Sequence, residues 1–142
     1  MTDRLRVELG DWPAMRARAG QVRYRVFVEE QKVPAEIELD EFDPVSVHAL
    51  AFDAGGRALG TGRLLPDGHI GRMAVLREAR GAGVGSALLR ALMKAARARG
   101  DREVMLSAQT HAIPFYERFG FAVEGDEYDD AGIPHRMMRL VF

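Results

Sequence analysis

The chain has 142 residues, 47% of them hydrophobic, so it is long enough to bury one core and is expected to form a single domain over residues 1–142. Its formal net charge of −1 lacks the basic excess that nucleic-acid binding needs, and the absence of cysteine excludes disulfides and thiol catalysis. No segment approaches the roughly 20 apolar residues of a membrane span. The first ten residues contain no apolar run typical of a signal peptide, so we expect a cytoplasmic protein.

The N-terminal part of the chain predicts a strand followed by a helix. Residues 4–9 alternate apolar and polar side chains with the period of two that is typical of a half-buried strand. Asp11 then offers an N-cap, and Pro13 suits the first turn of a helix. A helix over residues 13–30 would bury one apolar stripe, formed by Met15, Ala19, Val22 and Val26.

The middle of the chain predicts a meander of three strands. An acidic stretch at residues 36–43 and Pro44 precede it, and two turn signals rich in glycine divide it. The strands are expected over residues 45–53, 57–65 and 70–76, with turns at Gly55-Gly56 and Pro66-Asp67-Gly68.

The second half predicts two helices and three strands. Apolar residues recur every three or four positions from Val84 up to Gly100, which supplies a helix stop. Because this long helix separates the strands expected over residues 70–76 and 103–108, these strands should be parallel neighbours joined by a right-handed crossover. A short helix over residues 112–119 and an antiparallel pair at residues 121–124 and 136–142 complete the order.

The most informative segment is the glycine loop, Arg80-Gly81-Ala82-Gly83-Val84-Gly85-Ser86, which joins a strand to the long helix. Alternate glycines let backbone N–H groups crowd around a ligand, and the helix adds unpaired donors and its positive dipole end. The loop therefore predicts a phosphate site, against the alternative of a tight turn without a ligand. It is not a Walker A loop, because no lysine is near, and Ser86 stands where the dinucleotide fingerprint needs its third glycine.

Two motifs resemble the GCN5-related N-acetyltransferases, the GNAT family. Arg80-x-x-Gly83-x-Gly85 before a helix matches the family motif Q/R-x-x-G-x-G/A. Residues 109–121 fit the family frame N-x-x-A-x-x-x-Y-x-x-x-G-F at every fixed position except the first, where Gln109 replaces Asn. The VFVxEQ pattern at residues 26–31 and the AGIPH pattern at residues 131–135 resemble a small bacterial branch of the family with no settled substrate.

The resemblance implies the α/β fold of this family, a mixed and mostly antiparallel sheet flanked by helices, with one parallel strand pair that splays apart. It also implies acetyl-CoA as cosubstrate, its pyrophosphate on the loop amides and its pantetheine arm along the exposed backbone of the strand over residues 70–76. The cofactor-binding residues expected on this basis are Met73, Ala74, Val75, Arg80, Gly81, Ala82, Gly83, Val84, Gly85, Ser86 and Gln109.

Acetyl transfer to an amine requires an acid for the leaving thiolate and a base for the ammonium group. Tyr116 matches the family position whose hydroxyl faces the CoA sulfur, so the resemblance makes it the expected catalytic acid. Alkylammonium groups have a pKa of about 10.4 and are almost fully protonated at neutral pH, so a base or a water path must remove a proton. The sequence leaves the base open among six candidates: Glu30, Asp40, His48, His69, His111 and His135.

Charge is divided between two segments. Residues 29–43 hold seven acids and one lysine, and residues 77–102 hold seven basic residues and two acids. Solvated surface is the simple explanation, and the functional one is a basic end for the polyanionic cofactor and an acidic end for an ammonium acceptor. The candidates for the acceptor site are Glu30, Asp40 and His135, and no helical spacing of histidines indicates a metal site.

The sequence therefore predicts an acetyl-CoA-dependent N-acetyltransferase that acts on a primary amine of a small molecule or protein by direct attack in a ternary complex. A non-catalytic acyl-CoA-binding sensor or interaction module is the main alternative, and a generic nucleotide binder is a third hypothesis. The partners expected are acetyl-CoA and an amine, without nucleic acid or membrane. The acceptor, the base, the acyl chain preference and the choice between monomer and homodimer stay open.

Overall fold

The computed structural model describes residues 5–142, so Arg4, the first residue of the expected N-terminal strand, lies outside the described part of the chain. A π-helix, Tyr24–Glu30, continues the first helix without a break, and three short 3-10 turns link other elements. The strands are β1 Arg6–Gly10, β2 Val47–Phe52, β3 Ala58–Leu64, β4 His69–Val75, β5 Glu103–Gln109, β6 Ala122–Asp130 and β7 Ile133–Val141. The helices are α1 Trp12–Arg23, α2 Ala35–Glu38, α3 Val84–Arg99 and α4 Ile113–Glu117.

One mixed sheet of seven strands organises the molecule, in the order β1-β2-β3-β4-β5-β7-β6. Every neighbouring pair is antiparallel except β4 and β5, which are parallel and joined through α3. The mixed, mostly antiparallel sheet and its one parallel pair confirm the predicted fold class.

Helices cover both faces of the sheet. Because alternate residues of a strand point to opposite sides, one strand packs against a different helix on each face. On β2, Leu50 and Phe52 pack with Met15 and Ala19 of α1 in one buried cluster. Ala49 and Ala51 of the same strand point to the other face and belong to the larger core, which also buries Leu88, Leu89, Leu92 and Ala96 of α3. The apolar spacing that predicted α3 is therefore the face that the sheet covers.

The first helix differs from the prediction in its second half. It spans the expected length and buries all four residues of the predicted stripe, but from Tyr24 onward it is π-helical. The amide of Gln31 donates to the carbonyl of Val26 at 3.0 Å, the wider spacing of a π-helix. The π-helix ends at Glu30, near the part of the sheet where β4 and β5 separate.

Other elements also differ from the prediction. The strand expected from residue 45 begins at Val47, because Pro44 lies in a 3-10 turn over Asp43–Val45. The acidic stretch contains the short helix α2, which the sequence pattern did not predict. The closing pair β6 and β7 is longer than expected, since its exposed acidic residues do not alternate with apolar ones.

The parallel pair separates soon after it forms. β4 and β5 pair only at His69 with Met105 and at Ile70 with Leu106. On the other side of β4, the register with β3 shifts between Thr61 and Arg63, opposite a bulge where Arg72 has a φ of 49°. The strands therefore leave a V-shaped opening beyond Ile70.

Candidate active site

A cleft of about 650 Å³ lies along the opening between β4 and β5. It collects residues that are far apart in the sequence, from the π-helix, β4, β5, α4 and the turn between β6 and β7. The predicted site residues that line it are Glu30, Asp40, Met73, Ala74, Val75, Arg80, Gln109, Tyr116 and His135. One cleft thus holds the acid candidate, the acceptor candidates and part of the predicted cofactor site.

The rest of the predicted cofactor site is the glycine loop, which follows Arg80 and does not itself line the cleft. Gly81 and Gly83 both have a φ of 83°, a left-handed conformation that favours glycine, and Gly83 is the N-cap of α3. Within residues 5–142, the amides of Gly81, Ala82 and Gly83 donate no hydrogen bond. Together with the N-terminus of α3, these free donors form a surface suited to an anion.

The backbone of β4 is also free on its cleft side. β4 pairs with β3 as far as Val75, but beyond Ile70 it has no strand partner among residues 5–142 on the side facing β5. An extended ligand with amide groups can pair with such an edge as an added strand does. In the described part of the chain, the one side-chain partner of this edge is the Nε of Arg80, which donates to the carbonyl of Val75 at 3.0 Å.

Two side-chain bridges link the end of the π-helix to other residues that line the cleft. Both terminal nitrogens of Arg80 donate to the carboxylate of Glu30, each at 2.7 Å. The amide nitrogen of Gln109 donates to the side-chain oxygen of Gln31 at 3.0 Å. The hydrogen bonds from Arg80 lower the pKa of Glu30, and burial opposes this only in part, so Glu30 is held as a charged partner of arginine.

Tyr116 lies on α4 with its ring packed edge-on against Phe115 and Phe121, at centroid distances of 5.1 and 6.1 Å. Its hydroxyl forms no hydrogen bond with residues 5–142. Burial raises the pKa of Tyr116 to about 12, because the phenolate would lose its solvation. The side chain is therefore a neutral hydroxyl donor at any physiological pH.

The histidines differ in their access to the cleft. His48 is buried outside it, with Nε2 at 2.9 Å from the carbonyl of Asp43 and its ring against Trp12. His69 and His111 line the cleft, and the side chain of His69 is 39% exposed beside Asp67. His135 is 8% exposed in the cleft wall, and its Nδ1 lies 2.7 Å from the carbonyl of Ile133.

The contact of His135 fixes which ring nitrogen is available. A carbonyl oxygen accepts only, so Nδ1 carries the proton and Nε2 of the neutral ring keeps its lone pair. The ring is also stacked on Tyr128, whose hydroxyl contacts that of Ser107. His135 is therefore held in an orientation in which Nε2 has no hydrogen-bond partner within residues 5–142.

A network of three arginines and three carboxylates forms the wall beside the acidic segment. Asp43 accepts from Arg23 and Arg63, each at 2.8 Å, and Asp40 accepts from Arg63 at 2.6 and 2.8 Å. Burial would raise the pKa of both aspartates, but the guanidinium groups outweigh it and lower both. The network is completed by Glu38 on Arg23 and by Arg72 on Asp40.

These contacts bear on the interpretation of the acidic segment as the end that binds an ammonium acceptor. Glu30, Glu38 and Asp40 line the cleft, but each is paired with an arginine of the chain. The arginines of the network were not identified from the sequence. The one local signal was the glycine before Arg72, since a glycine within a strand often marks an irregularity. No group of three or more metal-ligating side chains occurs within residues 5–142, and no helix in that range has the length and hydropathy of a membrane span.

Comparison with known proteins fits this geometry. Residues 16–142 match the family described as acetyltransferase (GNAT) domain. The chain is 46% identical over 121 residues to the uncharacterised N-acetyltransferase YjcF of Bacillus subtilis, covering 82% of this chain and 86% of that protein. A crystal structure of an acyl-CoA N-acyltransferase from Pseudomonas aeruginosa is 36% identical with a TM-score of 0.83, covering 96% of this chain and 99% of the other.

The crystal structure of Escherichia coli ElaA is also similar, with 28% identity and a TM-score of 0.83, covering 96% of this chain and 99% of that one. Fold, sequence match and relatives agree, and they confirm the family that the loop and Tyr116 motifs indicated. The chain belongs to the GNAT acetyltransferase family and is an acyltransferase.

Proposed function

We propose that the protein is an acetyl-CoA-dependent N-acetyltransferase in which a primary amine, of a small molecule or a protein, attacks the thioester directly within a ternary complex. The observation that carries this proposal is that one cleft is lined by the free edge of β4, by Tyr116 and by His135. A binding module would need the first of these features but not the other two.

The donor is held by backbone groups. Unpaired amides of Gly81, Ala82 and Gly83 and the start of α3 would take the pyrophosphate, and the open edge over Met73 to Val75 would take the amides of the arm. The guanidinium of Arg80 is already engaged by Glu30, so the contribution of Arg80 to the donor is through its backbone. Gln109 stands where the family frame has Asn, and its amide is held by Gln31.

Tyr116 serves as the acid. With a pKa of about 12 it would protonate a fully solvated thiolate, of pKa about 8.5, only at a cost of about 5 kcal/mol. The apolar surroundings that raise the pKa of Tyr116 act on the departing sulfur as well, which makes that sulfur more basic as the C–S bond breaks. Tyr116 therefore donates a hydrogen bond to the sulfur and transfers its proton to that sulfur as the C–S bond breaks.

His135 serves as the base. Among the six candidates, Glu30 and Asp40 are weakened as bases by arginine, and His48 lies outside the cleft. His69 lies beside Asp67 and is partly exposed, and His111 is exposed, whereas His135 is buried in the cleft wall. His135 offers Nε2 with its lone pair, since Nδ1 donates to Ile133. Nε2 removes one proton from the ammonium group, and the neutral nitrogen bonds to the carbonyl carbon; the C–S bond then breaks as Tyr116 protonates the sulfur, and the second proton lost by the nitrogen returns to the phenolate of Tyr116.

The test is a screen of amines, polyamines, amino sugars, amino acids and peptides with acetyl-CoA, with release of free thiol as the readout and mass spectrometry of the product. Tyr116→Phe is expected to lower kcat about 10²- to 10⁴-fold, the usual contribution of an acid, and to leave the Kd of CoA within about threefold. Tyr24→Phe is the matched control, because Tyr24 is 50% exposed and does not line the cleft.

Two outcomes would contradict the proposal. Tight CoA binding without thiol release for any amine would favour the sensor, and binding of ATP or NAD as tight as that of CoA would favour a general nucleotide site. A Tyr116→Phe protein as active as the Tyr24→Phe protein would remove Tyr116 from the acid role.

A further inference from the structure

Arg72 is the cleft arginine with spare hydrogen-bond donors. Its Nε donates to the carbonyl of Glu38 and its Nη2 to Oδ2 of Asp40, both at 3.1 Å. Its other N–H groups, including both on Nη1, have no partner within residues 5–142. Arg63 and Arg80 line the same cleft, but each directs both terminal nitrogens at carboxylates.

The backbone of Arg72 is also unusual. Its φ of 49° is a left-handed conformation that a residue with a side chain rarely adopts, because it brings the Cβ close to the backbone. The strained residue lies in the bulge just beyond Ile70, where β4 turns away from β5. The bulge thus places a guanidinium group at the point where the cleft begins to open.

The surroundings of Arg72 leave its charge poorly compensated. Burial lowers the pKa of Arg72, and the nearby charge of Arg63 lowers it further against the attraction of Asp40. Arg23, in contrast, has a raised pKa despite its burial, because Asp43 and Glu38 both pair with it. The side chain of Arg72 is 30% exposed, so a ligand in the cleft can reach it.

The cleft as a whole does not favour a purely anionic ligand. Four carboxylates and three guanidinium groups line it. The carboxylates of Glu30, Glu38 and Asp40 have arginine partners, and that of Asp130 has none within residues 5–142. A ligand that carries both a cationic amine and an anion matches this arrangement better than either charge alone.

We propose that Arg72 binds a carboxylate of the acceptor, so that the preferred acceptors are amines that also carry a carboxylate, such as free amino acids. A planar guanidinium with free donors matches a carboxylate in geometry and charge. This inference rests on the proposed acetyl transfer to an amine, and it narrows the acceptor within that function.

The experiment compares matched sets of acceptors with acetyl-CoA: an amino acid, its amide and the amine formed by its decarboxylation. The values of kcat/KM are compared per neutral amine, because the amide group changes the pKa of the amine. The wild-type protein is expected to prefer the amino acid over its amide by about 10- to 100-fold, the range of one charged hydrogen-bonded contact.

Arg72→Gly is the informative variant, because glycine adopts the φ of this position without strain. It is expected to bring the ratio close to one, and Arg72→Lys, which keeps the charge but not the planar group, is expected to retain an intermediate ratio. Arg57→Gly is the control, since Arg57 is exposed outside the cleft and should keep the wild-type ratio.

A binding assay separates this inference from the proposed function. The Tm of the CoA-loaded protein is measured with each of the common amino acids and with the corresponding amides. At least one amino acid should raise the Tm while its amide does not, and Arg72→Gly should abolish this increase. Stabilisation of this kind without turnover of any amine would refute acetyl transfer and keep the carboxylate site. Equal use of amino acids and their amides, or a ratio unchanged in a folded Arg72→Gly protein, would overturn the carboxylate site.

Discussion

The buried ionic network offers a sharp test of what holds the acidic segment in place. Asp43 is 1% exposed and accepts hydrogen bonds from Arg23 and Arg63, and its own carbonyl contacts His48. Asp43→Asn keeps the shape of the side chain but removes its charge. Two guanidinium groups then lose a shared counter-ion in surroundings where water cannot replace it.

Removing one partner of a buried ion pair destabilises a protein by about 3–5 kcal/mol. A domain of this size has a total free energy of unfolding of about 5–15 kcal/mol, so the loss is a large fraction of it. Since 1 kcal/mol corresponds to about 3 °C in Tm for 142 residues, Asp43→Asn is expected to lower Tm by about 10–15 °C.

Urea unfolding followed by tryptophan fluorescence is the suitable assay. Trp12 is the only tryptophan, and its ring lies 5.2 Å from the guanidinium of Arg23 and 4.7 Å from His48. Its emission therefore reports on the network itself. Glu78→Gln is the control, because Glu78 is exposed and solvent screens its ion pairs with Arg25 and Arg57. A loss below about 1 kcal/mol for Asp43→Asn would refute the stabilising role of the network.

Two further predictions concern stability. The folded pKa values of Asp40 and Asp43 lie below their unfolded values, so their stabilisation is complete above the unfolded pKa of about 3.9 and is lost as pH falls through the folded values. Urea midpoints measured from neutral to acidic pH should fall most steeply there, and less steeply in Asp43→Asn; an identical slope in both proteins would contradict this assignment. Gly60→Ala is expected to destabilise the protein by about 1–3 kcal/mol, because its Cβ would lie 2.9 Å from Val84 and 3.0 Å from the carbonyl of Ala74. Gly85→Ala, whose Cβ would lie 3.6 Å from Phe115, should change the urea midpoint little, and equal losses for both glycines would show that close packing does not explain Gly60.

Local sequence patterns predicted most of the fold. The stripe from Met15 to Val26 is buried as expected, and α3 follows its apolar spacing from Val84 to Arg99. The π-helix could not be predicted in this way, because its buried residue Val26 keeps the spacing of an ordinary helix. The length of β6 was missed for a related reason, since an exposed strand has no buried face to impose alternation.

The site was predictable only where a motif carried it. Tyr116 and the glycine loop are short-range patterns, and they led to the family that the comparisons confirm. The partners of Glu30 and Gln31 lie 50 and 78 residues away, and no local spacing indicates such pairs. Arg72 was not singled out from the sequence, because its proposed role depends on the bulge of β4 and on neighbours in the folded protein.

The two bridges from the end of the π-helix also bear on the size of acceptor that can enter. Because Glu30 is hydrogen-bonded to Arg80 and Gln31 to Gln109, the end of the π-helix is tied to the segment after β4 and to the end of β5 before any ligand arrives. A bulky acceptor that pushed these segments apart would break these hydrogen bonds, whereas a compact amine can enter without breaking them. Within the proposed function, we therefore expect amines of small molecules to be better acceptors than amines on the surface of a folded protein.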